Sequence, residues 1–184
     1  MLSHNPQDYV LMFEAGRIDH AHHNGNAYRA LTDTIALNEA VRSALAQADL
    51  NDTLVVVTAD HSHVFTMAGY PPRGAAILGF AGKDAHGQPY TTLGYQNGPG
   101  AKAAKAATAA GPSAPPLSEA EAQAPDYRQR AATELFGETH GGDEVAVYAG
   151  GPWTHLFQGV IDQHVIFHIM RRAAGLDAVV ARPK

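Results

Sequence analysis

Cysteine is absent from all 184 residues, which excludes both disulfides and thiolate-held metals. Any bound metal must be held by nitrogen and oxygen. Basic residues are few, 13 Lys and Arg against 18 Asp and Glu, for a net charge of -5. The basic stripe that marks a nucleic-acid surface is therefore missing. No apolar run approaches the ~20 residues of a membrane span; the densest, Leu54 to Val57 and Val165 to Met170, are short. Met1-Leu2-Ser3-His4-Asn5-Pro6 has neither the basic nor the apolar stretch of a signal peptide. It reads as the last turn of a helix stopped at Asn5-Pro6, because a residue before proline is pushed out of the helical region. A chain that opens in this way is expected to be a portion of a longer one. No internal repeat is visible.

What is present fits a soluble globular domain. Apolar residues make up 45% and mean hydropathy is -0.20, and this length suits one domain with a sizeable core. Tyr9 to Phe13 predicts a short buried strand ending at Glu14-Ala15-Gly16. Residues 26–48 predict a helix with Leu31, Ile35, Val41, Ala44 and Leu45 near one face, started by Asn24 or Asn26. Thr53 to Thr58 is the clearest buried strand and runs directly into Ala59-Asp60-His61. Strand, helix, strand is a βαβ unit, which predicts a parallel sheet with helices on its faces. In such sheets ligands gather at the carboxyl ends of strands. Ala75 to Phe80 and Thr91 to Tyr95 are weaker strand candidates around a turn at Gly82 to Gln88. Residues 97–128 are rich in Ala, Gly and Pro. Propensity makes Ala101 to Ala110 helical, whereas the flanking Gly-Pro pairs favour an exposed insertion. Val145 to Tyr148 predicts another strand, and Asp162 to Ala174 a helix closed by Gly175.

Histidine is abundant, 11 of 184 residues, and three short stretches concentrate the candidate ligands. They are Glu14-x4-Asp19-x3-His23, Asp60-His61-Ser62-His63, and Thr139-His140-Gly141-Gly142. Asp19 and His23 are four apart, so one helical turn would place both on one side. Imidazole with carboxylate suits zinc, and carboxylate oxygen suits magnesium. Paired metals can stabilise the attacking and leaving oxygens of a phosphoryl displacement. Blander readings stand beside this one. Asp60-His61 also describes a turn-forming Asp beside a half-exposed His, His140 could begin a tight turn, and Glu14 could be a solvated loop acid. His86, His155, His164 and His168 read as surface or satisfied core residues.

Phe13-Glu14-Ala15-Gly16-Arg17-Ile18-Asp19-His20-Ala21-His22-His23 closely resembles the metal-ligand segment of alkaline phosphatases. Val57-Thr58-Ala59-Asp60-His61-Ser62-His63-Val64-Phe65 looks like the second such segment, and Glu138-Thr139-His140-Gly141-Gly142-Asp143-Glu144-Val145-Ala146-Val147 like the third. Likeness continues through Asn97-Gly98-Pro99-Gly100, Tyr127-Arg128-Gln129 and His155, and it is greatest to the animal-type branch. The resemblance implies an α/β fold over residues 1–184, the C-terminal part of the alkaline phosphatase-like sandwich with a mainly parallel sheet flanked by helices. Residues 66–135 would form a crown-like insertion at the dimer interface, where the alanine run departs from the family. By the same resemblance Asp19, His23 and His140 match the ligands of one zinc, Asp60 and His61 those of a second, and Glu14 a magnesium ligand. His20 matches a contact to the water shell of the magnesium, and His63 a histidine that orients Asp19. Tyr70 matches a tyrosine that reaches toward the partner in a homodimer.

The family mechanism hydrolyses phosphate monoesters through a phosphoserine. No Asp-Ser-Ala occurs here: Ser3, Ser43, Ser62, Ser113 and Ser118 all stand in other contexts. The nucleophile is expected upstream of this chain, which by itself is expected to be inactive or nearly so. A non-catalytic zinc-binding or dimerising module is the alternative, and a phosphodiesterase, sulfatase or phosphomutase relative a weaker one. By resemblance the location would be periplasmic or extracellular.

Overall fold

A computed structural model describes residues 8–111 and 115–176. The elements in order are α1 (Arg17–His23), α2 (Ala27–Leu45), β1 (Val55–Val57), β2 (Ser62–His63), β3 (Phe65–Met67), β4 (Phe80–Lys83), β5 (Pro89–Thr91), β6 (Leu93–Gly98), α3 (Ala101–Ala110), α4 (Glu119–Ala122), β7 (Ala131–Glu134), β8 (His140–Gly141), β9 (Tyr148–Gly150), a 3-10 turn (Thr154–Leu156) and α5 (Gln163–Ala173). The chain is thus mixed α/β, as its sequence predicts. It divides into two compact units, residues 1–37 with 64–139, and residues 38–63 with 140–184.

Residues 64–139 carry a three-stranded sheet in the order β3-β6-β7. β6 pairs antiparallel with β3 and parallel with β7. Tyr95 of β6, Ala101 of α3 and Ala131 of β7 form its buried centre, with Phe65 packed alongside. Alanine at two of those positions lets α3 lie close to β7. Gly100 is needed for the same reason, since a side chain there would run into the carbonyl of Gln129. Gln129 itself is buried; its Oε1 accepts from the N–H of Ala27 at 3.1 Å and its N–H donates to Gly25 at 2.9 Å. That fixes the start of α2, where Asn26 Oδ1 accepts from the N–H of Arg29 at 2.9 Å as an N-terminal cap. β4 and β5 form a hairpin whose turn is closed by Asp84 Oδ1, which accepts from the N–H groups of His86 and Gln88, both at 2.9 Å. Those bonds hold the Asp84 carboxyl below its ordinary value.

In the other unit β1 pairs antiparallel with β9, and β2 antiparallel with β8. α5 buries Ile169 and ends as predicted, with Gly175 in the left-handed region at φ +67°.

Several expectations need correction. Tyr9 to Phe13 is not a buried strand: among the described residues it pairs with nothing, and its side chains are 51–86% exposed. The βαβ unit falls with it. β1 instead takes β9, so four of the five described pairings are antiparallel and only β6 with β7 is parallel. Residues 75–79 form no strand, the hairpin starting at Phe80, and the strand expected at Val145 to Tyr148 begins only at Tyr148. Ala101 to Ala110 is a helix, so propensity prevailed over its Gly-Pro flanks. The apolar stripe of α2 is also more open than its period predicts, with Ile35 61% exposed. The helix end expected before Pro6 lies outside the described residues.

The core makes a prediction about alkaline conditions. Burial, and to a lesser degree the Glu138 carboxylate, pushes the Tyr95 phenol above its ordinary value, and burial does the same to Tyr127. A phenol raised by folding contributes stability that is fully present below its unfolded value of about 10 and is lost as pH rises through its folded value. Thermal melting should therefore hold steady to about pH 9.5 and fall above about pH 10. Tyr95→Phe should remove part of that fall. An identical fall in the variant would show that Tyr95 is not its source.

Candidate functional site

The expected ligands are divided between the two units. In the first unit α1 is a two-turn helix flanked by Gly16 as its N-cap and Asn24 as its C-cap. The four-residue spacing does what it predicts: His23 Nε2 lies 3.2 Å from Asp19 Oδ1, both side chains about one-third exposed. His23 Nδ1 lies 2.6 Å from the backbone carbonyl of Glu138. A carbonyl can only accept, so Nδ1 carries the proton and donates. Nε2 then either offers its lone pair toward a carboxylate oxygen, or is protonated and forms an ion pair with it. Two donors that share a tetrahedral ion at ~2.0–2.1 Å stand about 3.3 Å apart. Asp19 and His23 fit a zinc ion by separation, by donor chemistry and by the outer bond that fixes the ring.

Glu138 is the residue that the sequence reading missed. Its side chain is fully buried; Oε1 accepts from the N–H of Val64 at 2.8 Å, and Oε2 lies 3.7 Å from His23 Nδ1. Its own N–H donates to the carbonyl of His23 at 2.9 Å. Backbone and side chain of one residue thus clamp one imidazole. Gly98, at φ +134°, passes against Glu138, where an added Cβ would lie 3.2 Å from the Glu138 Cβ. Asn97 ties down the next position: its Oδ1 accepts from the N–H of Thr139 at 3.0 Å, and its Nδ2 donates to Thr139 Oγ1 at 2.9 Å. Asn97-Gly98 is therefore the support for Glu138-Thr139. The only available signal was an acid two positions before His140.

Glu14 and His20 are exposed, Glu14 in the irregular stretch before α1 and His20 on α1. Among the described residues the Glu14 carboxylate has no hydrogen bond or ion pair, so no grouping with Asp19 is seen. Tyr70 is fully exposed beyond β3.

In the second unit the β2–β8 pair brings two distant motifs together. His63 stands opposite His140, and Ser62 opposite Gly141. The His61 and His140 rings stack with centroids 3.4 Å apart at 16°. His63 stands edge-on to both, 5.1 Å from His61 and 5.4 Å from His140. His61 Nε2 lies 3.5 Å from Oδ2 of the exposed Asp60. Gly141 permits the close pairing, since a Cβ there would meet Ser62 Oγ at 2.5 Å and the His63 carbonyl at 2.9 Å. Three imidazoles and a carboxylate make a nitrogen-rich donor set of the kind that binds zinc.

Comparison with known proteins gives a family match. The family model for alkaline phosphatase matches residues 1–176. The tissue-nonspecific alkaline phosphatase of Felis catus is 43% identical over 180 residues, 97% of this chain and 33% of that protein. Its counterpart in Gallus gallus is 45% identical over 176 residues, 95% of this chain and again 33% of the relative, and that of Homo sapiens is 41% identical over 180 residues. The chain spans about a third of the length of these curated relatives.

Proposed function

The chain belongs to the alkaline phosphatase family, and on that premise we propose that the protein it comes from hydrolyses phosphate monoesters with two zinc ions and one magnesium ion, through a phosphoserine. The observation that carries this reading is the Asp19–His23 pair at 3.2 Å with its Nδ1 anchored on Glu138, inside a chain that matches the family over residues 1–176. Residues 1–184 are read as the C-terminal part of the alkaline phosphatase-like sandwich, with residues 66–135 as its crown-like insertion.

By correspondence with the family, Asp19, His23 and His140 hold one zinc, Asp60 and His61 the second, and Glu14 the magnesium. Zinc, when bound, supplies Lewis-acid charge to the phosphoryl and leaving oxygens. The chain's own contribution is to fix that charge. Asp19 and His23 sit on consecutive turns of a helix rather than on a loop, and Glu138 holds the His23 tautomer with Nε2 facing Asp19. His63 stands opposite His140 in the β2–β8 pair; by the same correspondence it is the histidine that orients Asp19, and His20 serves the magnesium's water shell. Tyr70, fully exposed beyond β3, is by the same correspondence the residue that reaches toward the partner in a homodimer. By the same correspondence the protein works in the periplasm or outside the cell. No described helix is long and apolar enough to cross a membrane.

The alternative reading is a zinc-binding or dimerising module without catalysis. One experiment separates the two. The full-length protein, loaded with zinc and magnesium, should release p-nitrophenol from p-nitrophenyl phosphate, and a polypeptide of these 184 residues alone should release none above buffer. A full-length protein that binds zinc without turnover would establish the module instead. Turnover by the 184 residues alone would show that their nucleophile is not an Asp-Ser-Ala serine.

A further inference from the structure

His164 and His168 lie four residues apart on α5, both exposed, with ring centroids 6.0 Å apart and planes at 86°. We propose that they form a separate, surface chelate for a divalent transition ion, distinct from the Asp19, His23, Asp60, His61 and His140 set. One helical turn places two imidazoles on the same face, the same spacing that lets paired histidines on a helix hold zinc in metalloproteases. An ion bonded at ~2.0–2.1 Å to one nitrogen of each ring lies about 3.2 Å from each ring centre, so rings up to about 6.4 Å apart can share it. The observed separation is inside that limit. A tetrahedral arrangement needs the rings about 0.8 Å closer and a right-angled one about 1.5 Å closer, which rotations of two exposed side chains supply.

The surroundings favour this pair over the other histidines outside the proposed zinc sites. His86 stands in a turn held by Asp84. His155 lies beside Trp153, its ring centre 6.0 Å from the indole. Arg172, one turn beyond His168, is drawn over the Trp153 ring at 5.0 Å, which draws its charge to the indole. Asp162, the residue before α5, makes no side-chain capping bond, so its carboxylate remains available next to His164. With two imidazoles and open positions for water or this carboxylate, the order of preference is copper(II) above nickel(II) and zinc. The bound ion would cross-link the first two turns of a helix that lacks a side-chain cap.

The test is calorimetric titration of copper(II) into the full-length protein already saturated with zinc and magnesium, as wild type, His164→Asn, His168→Asn and His86→Asn. The wild type should bind one additional copper per chain. Either α5 variant should weaken that binding about a hundredfold, because a chelate loses its intramolecular advantage when either arm goes. His86→Asn should leave it unchanged. Electron paramagnetic resonance of the wild type should show two nitrogen ligands on that copper. The proposal is overturned if the extra copper persists in both α5 variants, or if each variant loses only half of the binding, as independent imidazoles would. All of these positions are exposed, and unchanged melting temperatures before copper is added will show that each variant is folded.

Discussion

Replacing Asp19 or His23 with alanine in the full-length protein should lower zinc content by about one ion per chain and kcat/KM at least about a hundredfold. Even a residue that merely orients a ligand typically costs 10–100-fold, and these two are proposed as ligands. The competing explanation of their 3.2 Å approach is an imidazolium–carboxylate ion pair on a third-exposed helix surface. An exposed pair of that kind contributes about 1 kcal/mol or less to stability and nothing to metal content. The two explanations therefore diverge on a direct measurement. Zinc determined by atomic absorption, together with p-nitrophenyl phosphate turnover, decides between them. Asp19→Asn is the sharper variant, because it keeps the shape and one acceptor oxygen while removing the charge that a cation needs. Unchanged zinc in Asp19→Asn and in His23→Ala would leave only the ion pair.

That pair is legible in the sequence alone because a helix converts sequence spacing into spatial proximity by a fixed rule. The same rule made α2 and α5 readable, Asn26 as the start of one and Gly175 as the end of the other. The β2–β8 pairing was legible only as two motifs, since nothing local to Ser62-His63 specifies a partner at His140-Gly141. Strand partners are chosen by long-range packing. β1 shows this most plainly: Val55 to Val57 has the composition of a strand from a parallel sheet, yet it pairs antiparallel with residues 148–150. Tyr9 to Phe13 has the same composition and pairs with nothing described. Apolar runs say that a segment needs a partner, and they are silent about which one. Glu138 was hidden for a different reason. An acid beside Thr-His-Gly-Gly reads as solvated, and only its burial and its contacts with Val64 and His23 give it a role. Asn97 is similar, a loop amide until both of its bonds to Thr139 are seen.

Glu138 also gives the prediction that best separates architecture from chemistry. Glu138→Ala removes the acceptor of the Val64 N–H and leaves a buried donor unpaired, which costs about 1–3 kcal/mol. It also removes the negative charge 3.7 Å from His23 Nδ1. The variant should therefore melt lower and hold zinc more weakly, and the two losses would be confounded. Glu138→Gln separates them. Its amide oxygen can still accept from Val64, and the backbone carbonyl still takes the His23 proton, so melting of the zinc-free protein should stay near wild type. The carboxylate charge beside the ring is gone, so zinc affinity measured by competition with a chelator should fall about 10–100-fold. If Glu138→Gln holds zinc as tightly as wild type, the carboxylate is a structural acceptor for the Val64 N–H and the backbone carbonyl alone sets the tautomer. If affinity falls while melting does not, then the acid that supports His23 comes from the same short motif as His140, and one segment supplies both a proposed ligand and the orientation of another.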